Sequence, residues 1–251
     1  MRRKVIAGNW KMNLGPKEAA DLVQQLASKI EGEKGCDVVV CVPFVDIATV
    51  VGATAGTNIK VGAQNMHQAE KGAYTGEISA TMLKECGVEY VIIGHSERRS
   101  IFGETDQIIN EKVKTALAAG LKAILCVGET LAERKQNVTE ETVSRQVKLG
   151  LLGVSEGELA NVIIAYEPVW AIGTGVTATD DQAEETCAFT RGVIAGMYSQ
   201  AAADAIVIQY GGSMNAANAA GLLSMGNIDG GLVGGASLKA DDFATIVKAA
   251  G

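Results

Sequence analysis

Glu167 stands at the end of an apolar run, Asn161–Tyr166, and directly before Pro168. A carboxylate at the rim of an apolar layer is partly desolvated and can act as a general base. Taken alone, it reads more readily as a solvated loop glutamate. Beyond Pro168 come Val169, Trp170, Ala171 and Ile172, then Gly173-Thr174-Gly175. Apolar loop residues cover something, and small residues beside them can hinge, so Val169–Val176 reads as a lid that closes on a ligand; the plainer alternative is a loop packed on the body. His95 and Glu97, in Gly94-His95-Ser96-Glu97-Arg98, follow a second apolar run and add acid–base groups. Lys11, in Asn9-Trp10-Lys11, can offer a fixed positive charge to an anion or a developing oxyanion, or else lie in solvent. Two glycine pairs, Gly211-Gly212 before Ser213 and Gly234-Gly235, let an anion approach backbone N–H groups. Either pair alone is a tight turn; both together favour a phosphate.

Several chemistries are disfavoured by the same residues. The only histidine besides His95 is His67, which leaves no multi-histidine metal site. The five cysteines, Cys36, Cys41, Cys86, Cys126 and Cys187, are odd in number and none forms a C-x-x-C pair, so a reducing cytoplasm is expected and a disulfide framework is not. Ser96 lacks the closing glycine of a nucleophile elbow, and His67 precedes it where a hydrolase histidine follows. Gly173–Ala178 matches G-x-G-x-x-A, but it starts well past a strand end and late in the chain, which argues against a dinucleotide site. A net charge of −7 argues against nucleic acid or an anionic membrane as partner. No stretch approaches the roughly 18 apolar residues of a membrane span. The basic start carries too short an apolar run for a secretory signal.

These residues need a scaffold that brings them together. Strands are expected near Val5–Trp10, Asp37–Val42, Ile59–Gln64, Tyr90–Gly94, Lys122–Val127, Asn161–Tyr166, Ala205–Tyr210 and Ile228–Val233. Most lack polar alternation, as in a parallel sheet buried on both faces. Between them lie helical patterns. Lys17–Ile30 sets Leu22, Val23, Leu26 and Ile30 on one face behind Pro16, and Thr179 with Gln182 forms a capping box. Eight units of about 31 residues have the size of βα repeats. The expectation is an α/β fold, one (β/α)8 barrel domain over residues 1–251, with its site at the C-terminal strand ends. Asn9, Lys11, Gln64, Asn65, His95, Glu97, Cys126, Glu167, Ser213, Gly234 and Gly235 all fall there.

Gly8–Asn13 (GNWKMN), GAYTGE at 72–77, GHSERR at 94–99, AYEPVWAIGTG at 165–175, YGGS at 210–213 and LVGGASL at 232–238 closely resemble, in order and along the whole chain, the triosephosphate isomerase family. The resemblance implies reversible interconversion of dihydroxyacetone phosphate and D-glyceraldehyde 3-phosphate through an enediolate, in glycolysis and gluconeogenesis, with no cofactor and no metal. It implies Glu167 as base, His95 as a neutral electrophile, and Lys11 and Asn9 as ligands near the oxyanion. Glu97 would position Lys11 or relay a proton, and Cys126 would support the site. Backbone N–H groups of Gly173, Ser213, Gly234 and Gly235 would hold the phosphate under the closed lid. It also implies a cytoplasmic homodimer in which the loop around Thr75, within Gln64–Glu77, docks beside the other subunit's Asn9 and Lys11. Met214-Asn215 and Gly231 depart from the family's usual residues. A different barrel enzyme acting on a phosphorylated substrate would share the glycine loops but not the Glu167–Pro168 segment, and a binding-only relative would lack Lys11, His95 or Glu167.

Overall fold

The computed structural model describes residues 2–172 and 177–251. Eight strands close a barrel: β1 Lys4–Asn9, β2 Cys36–Val42, β3 Ile59–Ala63, β4 Tyr90–Ile93, β5 Lys122–Val127, β6 Val162–Tyr166, β7 Val207–Tyr210 and β8 Gly230–Val233. Each pairs in parallel with its sequence neighbours, and β1 with β8, where Val5 is in register with Gly230. The helices between them are α1 Pro16–Lys29, α2 Ile47–Thr54, α3 Ala80–Glu85, α4 Ser96–Ser100, α5 Asp106–Ala118, α6 Leu131–Lys135, α7 Thr139–Gly150, α8 Asp180–Met197, α9 Gln200–Ala205, α10 Ala219–Ser224 and α11 Ala240–Ala249. The (β/α)8 expectation is met.

Strand residues divide by parity. Val5, Ala7, Val39, Cys41, Tyr90, Ile92, Ile124, Cys126, Ile163, Ala165 and Leu232 fill the barrel interior. Their neighbours Ile6, Val38, Val40, Val91, Leu125 and Ile164 pack outward, under Leu22, Val23, Leu26, Val113, Val147 and Ile194 of the helical layer. Both strand faces are therefore apolar, which is why the strands show no polar alternation. Caps start the helices where side chains permit. Thr179 accepts from the Gln182 backbone N–H at 3.2 Å while Gln182 returns to the Thr179 N–H at 3.0 Å, the expected capping box of α8.

Strand boundaries shift from expectation for local reasons. β7 starts at Val207, not Ala205, because Ser199 caps α9 by accepting from the Ala202 N–H, and that helix runs through Ala205. β8 starts at Gly230, not Ile228. Just before it, the Asp229 carboxylate takes the Ile208 N–H at 3.0 Å and the guanidinium groups of Arg2 and Arg191, both at 2.6 Å. β1, β3 and β4 stop one residue early, at the points where Trp10, Gln64 and Gly94 turn into the site loops. No described helix is long and apolar enough to cross a membrane.

Candidate active site

β6 ends at Tyr166, and the next residue, Glu167, donates its backbone N–H to Val127 of β5 at 2.7 Å. This fixes the base candidate between two strand ends. The glycines around it are compulsory. A Cβ on Gly128 would stand 1.8 Å from the Glu167 carbonyl oxygen, and one on Gly211 would stand 2.9 Å from its Cγ. The Glu167 side chain is 2% exposed. Its Oε1 lies 2.9 Å from His95 Nε2, and its Oε2 accepts the Ser96 backbone N–H at 3.0 Å. Burial works against this carboxylate, but His95, the Ser96 N–H and Lys11 outweigh it and hold the group below its usual range. Glu167 is therefore ionised at neutral pH.

His95 caps α4, and its Nδ1 accepts the Glu97 backbone N–H at 3.2 Å. That bond requires a bare Nδ1, so the ring proton sits on Nε2 and is donated to Glu167. Burial disfavours imidazolium, yet the Glu167 carboxylate and its hydrogen bond more than offset burial and raise the ring above the ordinary histidine value. The N-terminus of α4, a helix of only five residues, disfavours imidazolium, but the neighbouring carboxylate competes with it.

Lys11 follows β1 and sends its ammonium to Glu97 Oε1 at 2.6 Å. Asn9, 6% exposed, accepts the Lys11 N–H through Oδ1 at 3.1 Å. Lys11 and Asn9, with His95 and Glu167, share a cavity of about 360 Å³ at the C-terminal mouth of the barrel. Ser213, Gly234 and Gly235 line its opposite wall. Their backbone N–H groups have no acceptor among the described residues, which leaves them free for an anion. Cys126 is fully buried inside the barrel, facing Glu167; burial first, then that carboxylate, raises its thiol far above the usual value and keeps it neutral. Gly173 and the rest of 173–176 lie outside the described residues, so of the expected lid only Val169–Ile172 is placed. Ile172 lines the cavity. Among the described residues no group of three or more His, Cys, Asp or Glu is arranged to hold a metal ion.

Some functional neighbours are absent from the sequence reading. Glu129, fully buried, accepts at Oε1 from Trp170 Nε1 (2.7 Å), Tyr166 OH (3.2 Å) and Arg134 (3.1 Å), and its carbonyl takes the Val169 N–H. It thus ties down Val169 and Trp170, the first residues of the expected lid. Arg99 joins the ends of β4 and β5 by donating to the carbonyls of Gly94 (2.7 Å) and Cys126 (2.9 Å). Reading two residues past Val127, the end of β5, reaches Glu129. Arg99 has no such signal, since an arginine on a short helix is usually solvent-facing.

Comparison with known proteins agrees with this geometry. The triosephosphate isomerase family model matches residues 4–250. Among relatives named triosephosphate isomerase, that of Acetivibrio thermocellus is 61% identical over 99% of both chains. That of Clostridium novyi is 56% identical over 99% of both, and that of Thermoanaerobacter pseudethanolicus 54% identical over 99% of this chain and all of its own. With the closed parallel barrel and a glutamate, a histidine and a lysine on one cavity at its C-terminal mouth, these matches place the chain in the triosephosphate isomerase family.

Proposed function

We propose that Glu167, His95 and Lys11 carry the chain's triose-phosphate isomerisation, the interconversion of dihydroxyacetone phosphate and D-glyceraldehyde 3-phosphate in glycolysis and gluconeogenesis. Glu167 removes a proton from the carbon beside the carbonyl, an enediolate forms, and the proton returns to the neighbouring carbon. His95, neutral and protonated at Nε2, donates to the developing oxyanion; this family is the standing example of such a neutral imidazole. Lys11 adds positive charge, held in place by Glu97, while Asn9 binds substrate beside it. The N–H groups of Ser213, Gly234 and Gly235, with that of Gly173, grip the phosphate. The lid excludes water and keeps the enediolate from expelling phosphate. Cys126 supports Glu167 as a neutral neighbour, and the chemistry needs no cofactor or metal.

The observation that carries this reading is the buried Glu167–His95 contact of 2.9 Å on a cavity shared with Lys11. In this arrangement both Glu167 oxygens are engaged, so substrate must displace the His95 and Ser96 contacts to receive the carboxylate. A coupled dehydrogenase assay on glyceraldehyde 3-phosphate tests the roles. Glu167→Gln should lose about 10²–10⁴-fold in kcat while still binding a phosphate-bearing ligand. A variant with near wild-type kcat removes Glu167 from the mechanism.

Residues 1–251 act as one domain, and the active form is a cytoplasmic homodimer. Supporting the dimer, Met12 (96% exposed), Val45 (72%), Ile101 (71%) and Phe102 (65%) present apolar surface beside the site. A groove of about 280 Å³ between Met12, Phe44, Gln64 and Phe102 opens onto Asn9, Lys11 and His95, and suits another subunit's Thr75 loop. Supporting the compartment, all five cysteines are free thiols.

A further inference from the structure

Lys11 adopts a left-handed backbone, φ +53°. For a residue with a Cβ this conformation is unfavourable, and it persists only where the surroundings over-determine it. Two side chains do so. Asn9 Oδ1 takes the Lys11 N–H at 3.1 Å. Gln64, just past β3, donates from Nε2 to the Lys11 carbonyl at 2.9 Å and to the Cys41 carbonyl on β2 at 3.0 Å. One carboxamide therefore ties the loop after β1 to the end of β2 and uses both of its hydrogens. Lysine carries its charge on a flexible stem, so where the ammonium lies depends on where the backbone aims it.

We propose that Gln64 is a positioning residue, whose carboxamide locks Lys11 in its left-handed conformation so that the ammonium enters the cavity beside His95. The proposal rests on the reading of Lys11 as an oxyanion ligand. A glutamine that only capped loose carbonyls would support folding and leave the chemistry of folded molecules unchanged. A positioning glutamine acts through Lys11 alone, and misplacement on the ångström scale costs up to about 100-fold in rate.

The test is a double-mutant cycle between Gln64→Leu and Lys11→Ala. Each variant is assayed on glyceraldehyde 3-phosphate at concentrations where sedimentation shows the wild-type assembly state. Gln64→Leu should lower kcat/KM at least about tenfold in the wild-type background and less than about twofold in the Lys11→Ala background. Equal losses in both backgrounds, or none in the first, overturn the proposal while leaving Lys11 in its role. Full activity of Lys11→Ala overturns the Lys11 reading and the proposal with it. If Gln64→Leu does not fold, Gln64→Glu carries the test. Its neutral carboxyl donates to only one of the two carbonyls. Ionised, it donates to neither and faces both oxygens with a negative charge, so it titrates above an ordinary glutamate. Activity relative to wild type should then fall as pH rises through that value; a ratio flat with pH overturns the proposal.

Discussion

At the scale of single residues, the site works by setting neighbouring titratable groups against each other. Glu167 is buried yet held ionised, and His95 is buried yet raised, because each stabilises the charged form of the other. Removing the carboxylate charge should therefore lower the imidazole. In Glu167→Gln, nitrogen NMR of His95 should show its titration midpoint below that of the wild type. A midpoint that rises or stays put would mean that Glu167 is not what raises the ring. The same scale shows what sequence reading reaches. Glu167, His95 and Lys11 were legible because each follows a recognisable strand. The pairing of Glu167 with the Ser96 N–H was not, since it joins residues 71 apart through the closed barrel.

At the scale of elements, Gly231 and Met214, both expected to depart from the family's usual residues, belong to one contact. A Cβ on Gly231 of β8 would stand 2.5 Å from Met214 Sδ, in the loop after β7. The thioether fills the space that a larger residue at 231 would take. Gly231→Val should thus destabilise by about 1–3 kcal/mol through overpacking, and adding Met214→Ala should recover most of it. Urea unfolding of the variants measures this; purely additive losses would show that the two positions do not share that space. Another element-level device is Glu104, which binds Arg98 of α4 and Lys112 of α5, the latter also holding Asn65 at 2.8 Å. Burial opposes its charge, but the two cations outweigh burial and lower its pKa. The resulting stability is complete above the unfolded carboxylate value of about 4.3 and is lost as pH falls through the lowered folded value. Wild type should lose stability on acidification more steeply than Glu104→Gln, and equal slopes in unfolding against pH would exclude the pair as the cause. Such networks escape the sequence because a charged residue reads the same whether solvated or buried. Helix and strand types were legible from periodicity, whereas boundaries such as Ala205 and Ile228 depended on a cap and on Asp229.

For the whole molecule, the exposed apolar rim around the site is the feature a lone barrel leaves unpaired. The loop 64–77 is ordered by its own contacts: His67 stacks on Tyr74 at 4.2 Å between centroids, and its backbone N–H meets the Ile78 carbonyl at 2.8 Å. It leaves Thr75 exposed at its tip. Thr75→Arg should shift sedimentation toward the monomer and reduce kcat in parallel as the protein is diluted; a monomer with full specific activity would show that assembly does not serve catalysis. Barrel closure itself bears on how the molecule comes into being. β1, which ends at Asn9 and leads into Lys11, gains β2 early but pairs with β8 only once Gly230–Val233 exists. With chain growth at about 5–20 residues per second, one edge of the first strand waits roughly ten seconds or more during synthesis. Open strand edges invite mispairing. Lys11 is thus made well before β8, the strand whose pairing closes the barrel around it.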